Sequence, residues 1–137
     1  MKKIFKMLLA ISMIACLLAG CTSKPNDDDQ PGVDIHAKGE GVMTYAEYDA
    51  AAIDDAVVIE AFVQDAQGWW EKEGQGVVTI YAQDRDGAYF IYEMPISKED
   101  NDKLTAGTKI KVTGYKAEWS GEVEIIDAKY EILEGNY

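Results

Sequence analysis

The pattern of hydrophobic and polar positions changes character along the chain. Residues 7–18 form a short apolar run, residues 22–42 hold few apolar positions, and from residue 43 onward apolar and polar residues alternate. Alternation with a period of two is typical of strands that bury one face. The pattern therefore predicts one small folded domain at residues 43–137, built mainly of β-strands and preceded by two segments outside the fold.

The folded part is predicted to contain five strands and two short helices. Thr44 and Glu47 have the spacing of a capping box, which predicts a helix through about Ala52. A second short helix is predicted to begin at Ser97 and to end near Leu104. The strands are predicted at residues 56–64, 77–83, 88–94, 107–119 and 122–133. The order is thus β-β-β-α-β-β after an N-terminal helix.

The turn between the second and third strands decides which side chains face the core. Its sequence, Asp84-Arg85-Asp86-Gly87, suits a type I turn with Gly87 in the left-handed conformation and an adjoining bulge. This register predicts an inner face made of Val78, Ile80, Ala82, Phe90, Tyr92 and Met94. The outer face is then predicted to carry Thr79, Tyr81, Gln83, Tyr89, Ile91 and Glu93.

The predicted order of elements resembles the OB-fold, a five-stranded Greek-key barrel. Residues 107–115 (GTKIKVTGY) resemble the fourth strand of that family, and residues 54–64 (DDAVVIEAFVQ) resemble the first. The chain is in this respect similar to small exported OB-fold proteins of bacteria, over about residues 44–133. A small β-sandwich with an incidental helix is the alternative.

The N-terminus has the features of an export signal. Lysines at positions 2, 3 and 6 precede the apolar run, which is too short to span a membrane as a helix. The run ends in LAGC at residues 18–21, which resembles the bacterial lipobox. That resemblance implies removal of residues 1–20 and lipidation of Cys21, with palmitate-type acyl chains holding the chain on the outer face of the bacterial cell membrane. An ordinary cleaved signal followed by a stray cysteine is the alternative.

After Cys21, residues 22–42 are predicted to be a disordered acidic linker. The segment has two prolines and three consecutive aspartates, and it lacks the apolar surface needed to form a core. The aspartates at 27–29 could attract a cation, but a solvated charge run is the favoured interpretation. The only histidine, His36, lies in this linker and is predicted to be inert.

Aromatic residues form the predicted binding surface. The OB-fold resemblance implies a ligand surface on the outer face of strands two and three, flanked by the loops that join strands one and two and strands four and five. The candidates fall in those loops or on that face: Trp69, Trp70, Trp119, Tyr115, Tyr81 and Tyr89. One tryptophan of the adjacent pair is alternatively a plug that closes the barrel.

The net charge of the chain limits the classes of ligand that the sequence predicts. Loss of three signal-peptide lysines lowers Lys plus Arg from 13 to 10 against 25 Asp plus Glu, so the mature chain carries a net charge of −15. Nucleic-acid binding draws much of its affinity from clustered Lys and Arg. Because the mature chain is so acidic, single-stranded nucleic acid is disfavoured as its ligand. The sequence therefore favours an extracytoplasmic binding module for a neutral glycan or a peptide. A structural or assembly protein of the cell envelope, docking a protein partner, is the alternative.

Catalysis, metals and cofactors are not predicted. The mature chain has no unmodified cysteine, and no serine is paired with a candidate base, so the sequence predicts that the protein is not an enzyme. Residues 84–87 begin like a calcium loop but lack the later bidentate acid, which leaves only adventitious calcium binding by an acidic surface.

Overall fold

The computed structural model of the chain describes residues 34–137. Cys21, the predicted signal peptide and most of the predicted linker lie outside the described residues. The elements are the helices α1 (Tyr45–Ala50) and α2 (Lys98–Asn101) and the strands β1 (Ala56–Ala66), β2 (Trp70–Lys72), β3 (Gln75–Gln83), β4 (Ala88–Pro95), β5 (Thr108–Trp119) and β6 (Glu122–Asn136). Neither of these helices is long and apolar enough to cross a membrane.

Five of the strands close into a barrel. They pair in the order β1-β5-β6-β4-β3, and a further pairing between β1 and β3 completes the ring. The contact between β4 and β6 is parallel, through Ile91 and Ile125, and the other pairings are antiparallel. The short strand β2 extends the sheet beyond β3. The prediction of a mainly β barrel with minor helix is confirmed, and the sandwich alternative is not.

The barrel interior is filled by side chains from all five strands. Its fully buried residues are mostly β-branched or long aliphatic side chains: Val57, Ile59, Val78, Ile80, Ile91, Met94, Ile110, Val112 and Ile125. Such residues suit a pleated surface that is packed on one side. On the outer surface of β3 and β4, Tyr81 and Tyr92 are exposed.

The predicted register of the β3–β4 hairpin is wrong near its turn. Gln83 pairs with Ala88 and Ala82 with Tyr89, so Tyr89 and Ile91 face inward with Ile80. Tyr89 is only 2% exposed. Phe90 and Tyr92, which were predicted to lie inside, are instead on the outer surface, while Tyr89 and Ile91 are not on the outer face to which the sequence assigned them.

The hairpin loop and a bulge explain the difference. Asp84 Oδ1 accepts hydrogen bonds from the backbone N–H groups of Asp86 (2.8 Å) and Gly87 (2.9 Å), so a four-residue loop forms without a left-handed Gly87. The bulge lies further along β4, where Glu93 has a φ of 43°. Beyond it Val78 pairs with Met94, and both side chains face the core, as predicted. The expected extra residue is thus present, but it is six residues past the turn.

Residues 34–42, which the sequence assigned to the linker, lie against the barrel. Lys38 Nζ contacts Asp84 Oδ2 at 2.5 Å, and Lys109 Nζ donates a hydrogen bond to the carbonyl of Ala37 at 3.0 Å. The carboxylate of Glu60 accepts from the N–H of Gly39 at 3.3 Å and pairs with Lys109. These contacts hold the segment along β1 and the β3–β4 loop.

Candidate functional site

The adjacent tryptophans at 69 and 70 point in opposite directions. Trp69 is half-buried against the core, and its Nε1 donates to the carbonyl of Ile96 at 3.2 Å. Its ring lies over Gly76, where an added Cβ would come within 2.5 Å of the ring. Trp70 is 45% exposed on β2. Trp69 is therefore a structural plug, and Trp70 is the one available for contact.

Three aromatic rings form a row on the outer surface of β3 and β4. Tyr81 and Phe90 are cross-strand partners with ring centroids 5.2 Å apart, and Phe90 and Tyr92 are 6.4 Å apart. Tyr81 and Tyr92 are exposed, and Phe90 is half-buried between them. We call these three residues the aromatic row. Trp70 lies further along the same surface, because it pairs with Val77 of β3.

Hydrogen bonds and charges position the row from both sides. Gln67 Nε2 donates to the hydroxyl of Tyr81 at 2.8 Å, which orients that ring. Lys72 and Glu93 form an ion pair beside Tyr92. The Glu93 carboxylate raises the pKa of the Tyr92 hydroxyl. The row is thus bordered by one lysine and one glutamate that form an ion pair.

Tyr89, a predicted ligand contact, belongs to the core. Its hydroxyl donates to Asp84 Oδ2 at 2.7 Å, and its ring contacts Tyr48 and Tyr45. Burial and the hydrogen bond to Asp84 raise the pKa of Tyr89 well above its usual range. For Asp84 burial opposes ionisation, but hydrogen bonds from Lys38 and Tyr89 outweigh it and lower the pKa of the carboxyl. Tyr89 therefore supports the β3–β4 loop and does not reach solvent.

Tyr115 and Trp119 lie on another part of the barrel surface. Both are on β5, and Trp119 is 74% exposed at the end of the β5–β6 hairpin. Strand β6 separates them from β4, and its Glu124 lies near Glu93. Burial and the Glu122 and Glu93 carboxylates raise the pKa of Glu124. The exposed predicted site residues thus divide between two surfaces with carboxylates between them, while Trp69 and Tyr89 belong to the core.

The sequence missed two members of the aromatic row. Phe90 and Tyr92 were assigned to the core because the bulge was placed at the turn. The signal that could have placed it correctly is Asp84, whose side chain favours a closed local turn on its own backbone. Among residues 34–137, no group of three or more His, Cys, Asp or Glu side chains is arranged to hold a metal ion.

No family model and no curated protein matches the chain. Among solved structures it is similar to the Ifi202 HINa domain in complex with 20-bp double-stranded DNA, with 19% identity over 58% of this chain and a TM-score of 0.40. A murine DNA-binding protein bound with double-stranded DNA gives 17% identity, 61% coverage and a TM-score of 0.38. A structure described as the molecular basis for abrogation of activation of pro-inflammatory cytokines gives 17% identity, 61% coverage of this chain and a TM-score of 0.40. The chain spans 43% to 44% of the length of these three chains.

These comparisons contradict the predicted class of ligand and partner. The sequence favoured a neutral glycan, a peptide or a protein partner at a membrane and disfavoured nucleic acid. Two of the three similar structures are instead complexes with double-stranded DNA. The glycan, peptide and envelope-docking predictions are therefore wrong and are set aside.

Proposed function

We propose that the domain binds nucleic acid by stacking unpaired bases on the aromatic row. The observation that carries this proposal is the line of three rings, Tyr81, Phe90 and Tyr92, on the open surface of β3 and β4. Sheet surfaces with exposed aromatic residues accept bases in this way in RNA-recognition domains and OB-folds. The proposed role is binding, without a catalytic step.

Stacking explains how so acidic a chain could hold a polyanion. Each stacked base contributes about 1–3 kcal/mol through its π-face, and that contribution does not need a phosphate contact. Lys72 lies beside the row, and its charge is paired with Glu93. The phosphates would therefore point into solvent. A duplex hides its base faces within the stack, so the proposal requires single-stranded or locally opened nucleic acid.

We further propose that the barrel is an OB-fold with the β-β-β-α-β-β order and an N-terminal helix. The ring order and the parallel contact between β4 and β6 support this assignment. In it, β3 and β4 take the places of the second and third OB strands, with β2 as an addition in the preceding loop. The aromatic row then lies on the surface that OB-folds use for oligonucleotides.

Replacement of both exposed tyrosines of the row tests the proposal. A single-stranded oligonucleotide of about 12 nucleotides suits the ~4–16 that one OB-fold covers. Losing one stacked ring should weaken its binding roughly 5- to 150-fold, and Tyr81→Ala with Tyr92→Ala should weaken it further. Tryptophan fluorescence of the full-length chain measures the affinity, since all three tryptophans remain.

The matched control is Tyr115→Ala, which removes an exposed tyrosine from β5 and leaves the row intact. It should bind the oligonucleotide as the unchanged protein does. If the double variant and the control bind equally well, the aromatic row is not the site. A loss of binding only in the Tyr115 variant would move the site to the β5–β6 hairpin.

We also propose, from the LAGC sequence, that the chain is exported as a bacterial lipoprotein with Cys21 as its lipidated residue. The Cys21→Ser variant should lose incorporation of labelled palmitate and should either leave the membrane fraction or remain as an uncleaved precursor. Processing to normal size with continued membrane fractionation would contradict the assignment. This proposal depends on the N-terminus alone and is independent of the ligand.

A further inference from the structure

A second concave site lies at the end of the barrel away from β2. It is a cleft of about 740 Å³ between β1, the β3–β4 loop, the turn before β5 and the chain's last residue. Its volume is within the roughly 300–1,000 Å³ typical of small-molecule sites. The side chains that define it are His36, Phe62, Gln64, Gln83, Arg85 and Tyr137. None of them belongs to the aromatic row.

Three rings form an aromatic corner in the cleft. His36 and Phe62 have centroids 5.6 Å apart at an interplanar angle of 75°, and His36 and Tyr137 are 5.7 Å apart at 65°. Phe62 and Tyr137 are 5.6 Å apart. Edge-to-face rings at these distances present both a ring face and ring edges to a neighbour. Phe62 is only 5% exposed and backs the corner, so His36 and Tyr137 present the accessible surface against which a planar aromatic group would lie.

The polar side of the cleft holds the chain's single arginine. Arg85 Nη2 is 3.8 Å from Asp34 Oδ1, which is longer than a hydrogen bond, and its side chain is 59% exposed, so its N–H donors are accessible to another group. A guanidinium pairs two N–H groups with the two oxygens of one carboxylate. The nearby carboxylate of Asp84 is already engaged by Lys38 and Tyr89.

One buried polar atom beside the cleft also lacks a partner. Nδ1 of His36 is enclosed and forms no hydrogen bond to any of the described residues. Buried polar atoms of this kind are rare in folded proteins, because leaving them unpaired is costly. If the imidazole shifts slightly, a polar group bound in the cleft can hydrogen-bond to His36 Nδ1 and supply the missing partner.

We propose that this cleft binds a small planar aromatic monocarboxylate. The ring would occupy the corner of His36, Phe62 and Tyr137, and the carboxylate would pair with Arg85. Gln64 and Gln83 add amide donors and acceptors at the rim. A dianionic phosphate fits less well, because Asp34 and the acidic β3–β4 loop repel a second negative charge. The site is distinct from the proposed nucleic-acid surface and does not depend on it.

Benzoate is the probe for the test, with benzamide as its neutral counterpart and phenyl phosphate as the dianion. In ¹H–¹⁵N spectra of the full-length chain, benzoate should shift the amides of Gln64, Gln83 and Gly107 before those of the aromatic row. Arg85→Gln should weaken benzoate binding roughly ten- to hundredfold, as expected for a lost charge-assisted hydrogen bond. Arg85→Lys should restore part of the affinity.

The control is Lys103→Gln, which removes an exposed positive charge at the end of α2 and should leave benzoate binding unchanged. Equal affinity for benzoate and benzamide, or an Arg85→Gln variant that binds normally, would overturn the proposal. Tighter binding of phenyl phosphate would overturn the assignment to a monocarboxylate. Absence of benzoate shifts at the cleft would remove the site. If benzoate does not bind the cleft but the oligonucleotide still binds, only the cleft proposal is wrong and the proposed nucleic-acid function is unaffected.

Discussion

Replacing Tyr89 with alanine is expected to lower the free energy of unfolding by about 3–5 kcal/mol, the usual range for a buried aromatic side chain. Its ring packs 5.0 Å from that of Tyr48 and 5.7 Å from that of Tyr45, which joins β4 to α1. Its hydroxyl also satisfies Asp84, which closes the hairpin loop. The variant therefore loses a core ring and a loop contact together.

Phe90→Ala is the matched control for this prediction. Phe90 is the next residue on the same strand, but its half-buried ring lies on the outer surface, so its loss should cost clearly less. Chemical denaturation followed by circular dichroism measures both values. A larger loss for Phe90 than for Tyr89 would show that the hairpin register is shifted by one, and the aromatic row would no longer exist.

Lys116 is the second residue whose replacement should have a large effect. It is buried, and its Nζ donates to the carbonyls of Tyr48 (3.0 Å), Asp49 (2.8 Å) and Ala51 (2.8 Å) at the C-terminal end of α1. A cation at that end also complements the helix dipole. Lys116→Met is expected to cost about 2–4 kcal/mol, since each hydrogen bond to a charged group contributes about 1.5–3 kcal/mol and the three are not additive.

Lys129→Met provides the comparison, because Lys129 is an exposed lysine on the neighbouring strand β6. Its stability should remain within about 0.5 kcal/mol of the unchanged protein, as is usual for surface substitutions. Thermal and urea unfolding of the two variants give the difference. If both variants lose stability equally, the bonds from Lys116 to α1 do not hold the helix on the barrel.

Local patterning predicted the inner face of β3 correctly. Val78, Ile80 and Ala82 alternate with Thr79, Tyr81 and Gln83, and a period of two can be read without knowing what the strand pairs with. The face of β4 could not be read this way. Its register depends on two features together. Asp84 closes the loop through a local bond to its own backbone, and at the bulge the N–H of Glu93 donates to Thr79 Oγ1 on the partner strand.

The prediction of a glycan, peptide or protein partner was wrong for a different reason. Net charge describes the whole surface, whereas stacking depends on a few rings at short range. The sequence gives no direct sign that Tyr81, Phe90 and Tyr92 form one line, because two of them were assigned to the wrong side of the strand. Which of Trp69 and Trp70 is buried could not be read from the sequence and is decided by the packing of Trp69 on Gly76.

Salt dependence of oligonucleotide binding tests the central claim most directly. The full-length chain is titrated with one sequence as a single strand and as a duplex, at low and moderate salt. Stacking on the row predicts that the single strand binds better than the duplex. It also predicts a slope of log K against log salt no steeper than about −0.7, the value for a single phosphate contact. A failure to bind the single strand, or duplex binding of equal strength with a steep slope, would contradict the account.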